Sequence, residues 1–201
     1  MKLENIPHDF LAKLKSLYLV NLKINLKLEK ELLNIIHYFK ENDITIIPLK
    51  GPVLARFLYG DLSLRGRSGD LDLLIKKEQL KEAEEALGKI GFNPNRESAD
   101  IFWRSFNLKY YREIGFIRST NRLLVELHLD LRGLFSYPPL EDFWSGLREF
   151  DLDGERILMP SNEDLLTYLC LVAMPLTEFI ELRYLYDIHT LISKFGKDLN
   201  W

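Results

Sequence analysis

The sequence has one cysteine, Cys170, in 201 residues. A single thiol cannot close an internal disulfide, and such sparing use fits a reducing compartment. Its surroundings, Tyr168 to Ala173, are apolar, so Cys170 reads as a small core residue. Long apolar runs are also missing, which excludes a helix able to span a bilayer. The opening residues are polar and carry no apolar stretch of the signal-peptide kind, so a cytoplasmic location is expected. Net charge is only −3, which argues against the basic surface of a general nucleic-acid binder. There is neither an internal repeat nor a low-complexity linker. What is present is 47% hydrophobic and 28% charged, enough to build a core in one ordinary domain, or one domain with a helical appendage.

Residues 8 to 40 predict helix. Phe10, Leu11, Leu14, Leu17 and Tyr18, then Leu28, Leu32, Leu33, Ile35, Ile36 and Phe39, recur near the 3.6-residue period. Glu41-Asn42-Asp43 breaks it, and Ile44-Thr45-Ile46-Ile47 is strongly β-prone. Lys50-Gly51-Pro52 then turns the chain, because glycine supplies backbone freedom and proline suits a first helical turn. Lys77 to Ile90 has the pattern of a surface helix, capped by Gly91. Phe106 to Arg112 and Leu123 to Leu131 are expected as strands. In the second, Val125, Leu127, Leu129 and Leu131 alternate with Glu126, His128 and Asp130. Arg148 to Met159 predicts a hairpin about Asp153-Gly154. Ser161, with Asp164 three residues on, predicts a helix start, and two helices are expected over 162–174 and 177–195.

The chain is organised around Arg65-Gly66-Arg67-Ser68-Gly69-Asp70-Leu71-Asp72-Leu73-Leu74-Ile75, a polar turn leading into an apolar strand. Side chains at i and i+2 of a strand share a face, so Asp70 and Asp72 point one way and Leu71, Leu73 and Ile75 the other. Adjacent carboxylates repel and raise each other's pKa. A divalent cation between them relieves the repulsion, and hard oxygen ligands suit magnesium. A bare Asp-x-Asp also occurs on solvated strand faces, so the motif needs its neighbours.

Those neighbours form an ordered set. Pro48-Leu49-Lys50-Gly51-Pro52, Tyr59-Gly60-Asp61, Arg65 and Gly69 to Ile75 are followed by Val125-Glu126-Leu127-His128 and Leu185-Tyr186-Asp187-Ile188. Together they resemble the polymerase-β-like nucleotidyltransferases, in the branch labelled uncharacterised nucleotidyltransferase. The resemblance implies an α/β (α+β) fold, a small mixed sheet flanked by helices, with helical segments at both ends. Residues 1–43 would be the N-terminal helical segment, 44–160 the core and 161–201 the C-terminal segment.

The same resemblance implies Asp70, Asp72 and Glu126 as the catalytic carboxylates and the ligands of magnesium, with two ions expected. Glu126 could equally take the acceptor's proton, and Asp130 on the same strand face competes for its place. Gly51 would let the backbone approach a triphosphate. Lys50 and Arg65 would hold phosphate oxygens, with Arg67 and Ser68 as weaker candidates in the turn. His128 would orient Glu126 or touch the acceptor, and Asp187 reads as a helix–helix tie with a weaker claim on substrate. One departure stands out. The wider superfamily places Ser or Gly after the turn glycine, whereas Pro52 brings neither an N–H nor a hydroxyl.

The implied reaction is magnesium-dependent transfer of a nucleotidyl group from a nucleoside triphosphate to an acceptor, releasing pyrophosphate. The acceptor, small molecule or protein, is not named by the sequence, and no membrane partner is expected. Three other readings stay open at this point: a nucleotide-binding regulator without turnover, an antitoxin-like protein-interaction module, and a structural α/β domain with an incidental acidic face.

Overall fold

The computed structural model describes residues 7–66, 68–131, 140–173 and 182–200. Arg67 and residues 177–181, the expected start of the last helix, lie outside the described residues. Helix α1 (His8–Glu41) is followed by strand β1 (Ile46–Pro48). A short α2 (Pro52–Leu54) runs on as a π-helical turn over Ala55–Tyr59. Then come β2 (Asp70–Ile75), a 3₁₀ turn (Lys77–Gln79), α3 (Leu80–Lys89) and β3 (Phe92–Pro94). Helices α4 (Arg96–Ala99) and α5 (Ile101–Tyr110) lead to β4 (Glu113–Arg118) and β5 (Leu123–His128). The last part holds α6 (Leu140–Ser145), β6 (Arg148–Leu152), β7 (Glu155–Met159), α7 (Asn162–Ala173) and α8 (Leu182–Phe195).

Five strands make one mixed sheet in the order β1-β2-β5-β4-β3, and β6 and β7 form a separate hairpin. The β2–β5 pair is parallel and the other three pairs of the sheet are antiparallel. Apolar side chains leave the sheet in both directions. Leu71, Leu73 and Ile75 join Leu32, Ile35, Phe39, Ala83 and Leu87 in a core between the sheet, α1 and α3. Leu74, on the face of the two aspartates, enters a second core with Leu54, Leu58, Leu165, Leu169 and Leu191. Helices α7 and α8 therefore roof one end of the acidic face, and β2 is buried from Leu71 onward rather than solvated on one side.

Local signals account for most of the boundaries. Ser161 Oγ accepts from the Asp164 N–H at 3.0 Å and donates to its carboxylate at 2.6 Å, which fixes the start of α7. Asp153 and Gly154 both have positive φ, 55° and 87°, as a tight two-residue hairpin turn requires. One expectation is overturned: residues 106 to 112 are not a strand. Phe106, Leu108 and Tyr110 mimic a period of two, but they lie in α5. Asp100 caps that helix by accepting from the N–H groups of Phe102 and Trp103. The strand comes after the helix, as β4.

Helix α1 also anchors the loop ahead of β2. Asn25, buried, donates to the carbonyls of Leu62 at 2.6 Å and Gly66 at 2.8 Å. One turn on, buried Glu29 accepts two hydrogen bonds from Arg56, at 2.7 and 2.9 Å. The loop carrying Arg65 and Ser68 is thus pinned at its base.

Candidate active site

Strand register builds the site. Antiparallel β1 places Pro48 opposite Leu73, and the Leu49 N–H donates to the Asp72 carbonyl at 3.0 Å. The next residue is thereby carried onto the aspartate: Lys50 Nζ lies 2.8 Å from Asp72 Oδ1. On the other side, parallel β5 sets Asp72 opposite Glu126 and Leu74 opposite His128. His128 Nε2 is 3.1 Å from Asp72 Oδ1 and 4.0 Å from Glu126 Oε2. Its Nδ1 lies 3.5 Å from Glu113 Oε2, since Glu113 faces His128 across the β4–β5 pair. Among the described residues, ligand atoms of Asp72, Glu126 and His128 all fall within 4.8 Å of one another.

The electrostatics separate the two acids, Asp72 and Glu126. Asp72 is 3% exposed, and burial opposes its charge. The His128 hydrogen bond and the Lys50 charge outweigh that and hold its carboxyl well below the usual range. Glu126 goes the other way, to about 7, pushed up first by burial and then by the Glu113 and Asp72 carboxylates. For His128, burial disfavours the cation, yet the Asp72 bond and the Asp72 and Glu113 charges raise its pKa. Lys50 is raised as well, because Tyr168 and Asp72 outweigh its burial.

A pH experiment follows, with the sign fixed by these directions. In metal-free buffer, folded Glu126 keeps a proton between its ordinary 4.5 and about 7, where the unfolded chain has lost it. Stability therefore falls as pH rises through that window. His128 adds its own loss above its ordinary 6.5, as pH climbs toward its raised folded value. Asp72 acts only in acid, where stability is lost as pH falls below its ordinary 3.8. Melting temperature against pH should slope downward from about 5 to 7 in the parent, and Glu126→Gln should flatten that stretch. An unchanged slope in the variant would remove Glu126 from this account.

Beside the acids lies a cavity of about 300 Å³ lined by Lys50, Arg65, Ser68, Gly69, Asp70, Arg183 and Tyr184. Asp70 lines it on the same strand face as Asp72, and Ser68 Oγ donates to its carboxylate at 3.2 Å. Gly51 sits at φ 70°, ψ −135°, a backbone conformation essentially reserved for glycine, and a Cβ there would lie 3.7 Å from Ser68 Cβ. Arg65 enters from below. Its Nε donates to Asp187 Oδ2 at 2.9 Å, and Tyr59 Oη donates to Asp187 Oδ1 at 2.7 Å.

Of the residues proposed from sequence, the structure gathers Asp72, Glu126 and His128 into one group. Asp70, Lys50, Arg65 and Ser68 line the adjoining cavity. Asp187 is fully buried and meets Arg65 and Tyr59 rather than the cavity. Asp130 lies past the end of β5, and it too is buried. Three residues had escaped notice: Glu113, Arg183 and Tyr184. Glu113 is a lone acid at a strand start, while Arg183 and Tyr184 carry no motif.

Residues 1–201 match the family described as uncharacterised nucleotidyltransferase. The chain belongs to that family. This nucleotidyltransferase shares its fold with the crystal structure of ANT(2″)-Ia in complex with adenylyl-2″-tobramycin. There the TM-score is 0.58 at 13% identity, over 86% of this chain and 91% of that one. The solution structure of the antibiotic-resistance factor ANT(2″)-Ia gives 0.60 at 12% identity, over 87% of each chain. The lincosamide antibiotic adenylyltransferase LnuA, lincomycin-bound, gives 0.54 at 16% identity, over 82% of this chain and 96% of that one. No curated protein sequence matches the nucleotidyltransferase. Among its described residues, no helix is long and apolar enough to cross a membrane.

Proposed function

We propose that this nucleotidyltransferase uses magnesium to move a nucleotidyl group from a nucleoside triphosphate to an acceptor hydroxyl, releasing pyrophosphate. The observation that carries the reading is the juxtaposition of the Asp72–Glu126–His128 group with a cation-lined cavity. Fit to a metal rests on Asp72: its Oδ2 is buried and makes no hydrogen bond, so a strong acceptor atom is left unsatisfied. Asp72 and Glu126 would hold the ion with His128 as a third donor, and Asp70 would join them from the cavity side. Once bound, the metal would neutralise charge on the phosphate oxygens.

The chain's own residues do the rest. Glu126 takes the proton of the acceptor hydroxyl as that oxygen attacks the α-phosphorus. The bond from the α-phosphorus to its bridging oxygen breaks, and pyrophosphate leaves with the electron pair. Lys50 and Arg65 neutralise the departing charge from the cavity wall. Glu113 holds His128 through Nδ1, which turns Nε2 toward Asp72.

The test is a thermal-shift titration with magnesium and ATP, followed by incubation with labelled nucleoside triphosphates and candidate acceptors, both small molecules and proteins. A rise in melting temperature that needs both ligands, and release of labelled pyrophosphate, are expected. ATP binding without any released pyrophosphate would leave a nucleotide-binding regulator instead. The absence of both effects would overturn the reading.

A further inference from the structure

We infer that two copies of the chain pair through the first half of α1, the helices running antiparallel with Leu14 of each against the partner's Leu17. The face of α1 that enters the core carries Leu28, Leu32, Ile35 and Phe39. The same face continues toward the helix start through Ile24, Asn21, Leu17, Leu14 and Phe10, at alternating steps of three and four residues. There it leaves the body: Phe10, Leu14 and Leu17 are 51, 45 and 61% exposed. Single apolar residues scattered on a surface need no explanation, but a core stripe extended into water on one face marks a contact.

The geometry of α1 selects a second copy and its direction. A parallel partner is blocked, since its chain beyond residue 25 would run into the sheet and α3, which cover that face of the helix. An antiparallel partner runs the other way and finds the stripe open. With Leu14 against the partner's Leu17, Phe10 meets the partner's Asn21 and Lys13 lies beside the partner's Val20. The contact is then self-complementary about a two-fold axis. A slide of seven residues would put Lys13 against the partner's Lys27 and call on Leu28, which is already in the core. Residues 8 to 23 overlap over about 24 Å of helix. The partner's helix start arrives beside the loop that Asn25 holds, where Leu64 is exposed. Phe10, Leu14, Leu17, Tyr18 and Leu64 offer roughly 500 Å² per copy, so the pair covers about 1,000 Å², the size at which specific interfaces begin.

Sedimentation velocity of the full chain at rising concentration tests the pairing. The parent should pass from 23.7 kDa to twice that mass with a dissociation constant on the order of 10 µM, as a small interface gives. Leu17→Glu should weaken the dimer at least about tenfold, because it buries an unpaired charge from each copy in the seam. Leu19→Glu, at an exposed apolar position on the opposite face, should leave the dimer unchanged. Equal melting temperatures at a concentration where the parent is monomeric exclude a folding defect. Orientation is read by oxidation in a Cys170→Ser background. Phe10→Cys mixed with Asn21→Cys should form an intermolecular disulfide. Phe10→Cys by itself should not, since residue 10 of the two copies lies about 16 Å apart along the helices. A parent still monomeric at about 500 µM would overturn the pairing, as would a Leu17→Glu dimer as tight as the parent's. Self-crosslinking of Phe10→Cys as the main product would overturn the antiparallel arrangement.

Discussion

Asp187→Ala should destabilise the protein by about 3–5 kcal/mol, the usual consequence of stripping one partner from a buried ion pair. Asp187 is fully buried and the Arg65 side chain is 3% exposed, so the stranded guanidinium has almost no route to water. The Tyr59 hydroxyl loses its acceptor at the same stroke. At 201 residues such a loss lowers Tm by roughly 10 °C, and urea unfolding should show a lower midpoint with an unchanged slope. The sharper test is the double variant Arg65→Met with Asp187→Leu. Apolar residues of similar volume often replace a buried pair without net loss, so it should regain most of the stability. It should still bind ATP poorly, because Arg65 has left the cavity wall. A loss below about 1 kcal/mol for Asp187→Ala would mean that the tertiary contacts of α8 hold the region without the pair.

Asp72→Asn should lower turnover by about 10²- to 10³-fold or more and abolish the magnesium-dependent rise in Tm. The substitution keeps shape and removes charge, so steric damage is minimal. Two cationic neighbours lose their counter-charge, since Asp72 Oδ1 receives both Lys50 Nζ and His128 Nε2. The metal-free protein should therefore be less stable by about 1.5–3 kcal/mol, the usual contribution of a hydrogen bond to a charged group. Glu126→Gln should behave differently. It removes the proposed proton acceptor but leaves the Lys50–Asp72 pair intact, so turnover should fall with little loss of metal-free stability. Residual turnover above a tenth of the parent in Asp72→Asn would place the metal elsewhere.

Much of this was legible in the sequence because local chemistry agrees with tertiary structure. Strict alternation from Val125 to His128 marked β5, and Asp153-Gly154 marked the hairpin, since only a φ > 0 turn fits there. Helix α5 failed for a physical reason. Ile101, Phe102 and Trp103 are 83, 67 and 49% exposed, so its apolar side chains do not trace a buried face and period gave no guide. The Asp100 cap was the available signal. At the site, Asp70 and Asp72 were visible because their spacing is local to a strand, whereas Glu126 came with the family resemblance. Lys50 pairing with Asp72, Glu113 reaching His128 and Arg183 reaching the cavity all depend on register and helix rotation. Those are long-range quantities that no short window contains. Arg65 illustrates the same limit: the resemblance offered it to phosphate oxygens, and its protein partner is Asp187 on the last helix.

The parallel pairing of β2 with β5 has a bearing on when the protein acquires its chemistry. Parallel neighbours cannot be joined by a hairpin, so everything from Lys76 to Arg122 must be looped out before Asp72 meets Glu126. Closing that loop is an entropic cost met before any contact across the pair offsets it. A growing chain thus exposes the first half of its site long before the second exists. No ion can be captured by both carboxylates until the sheet has closed. If the proposed metal binds there, its stabilisation should show up as slower opening of the finished sheet. The pairing also guards specificity, because a slip of one residue would turn Glu126 into the apolar core and Leu127 toward Asp72. The pairing of Asp72 with Glu126 is in effect a proofreading mark for the register, formed only by chains that have zipped the two strands correctly.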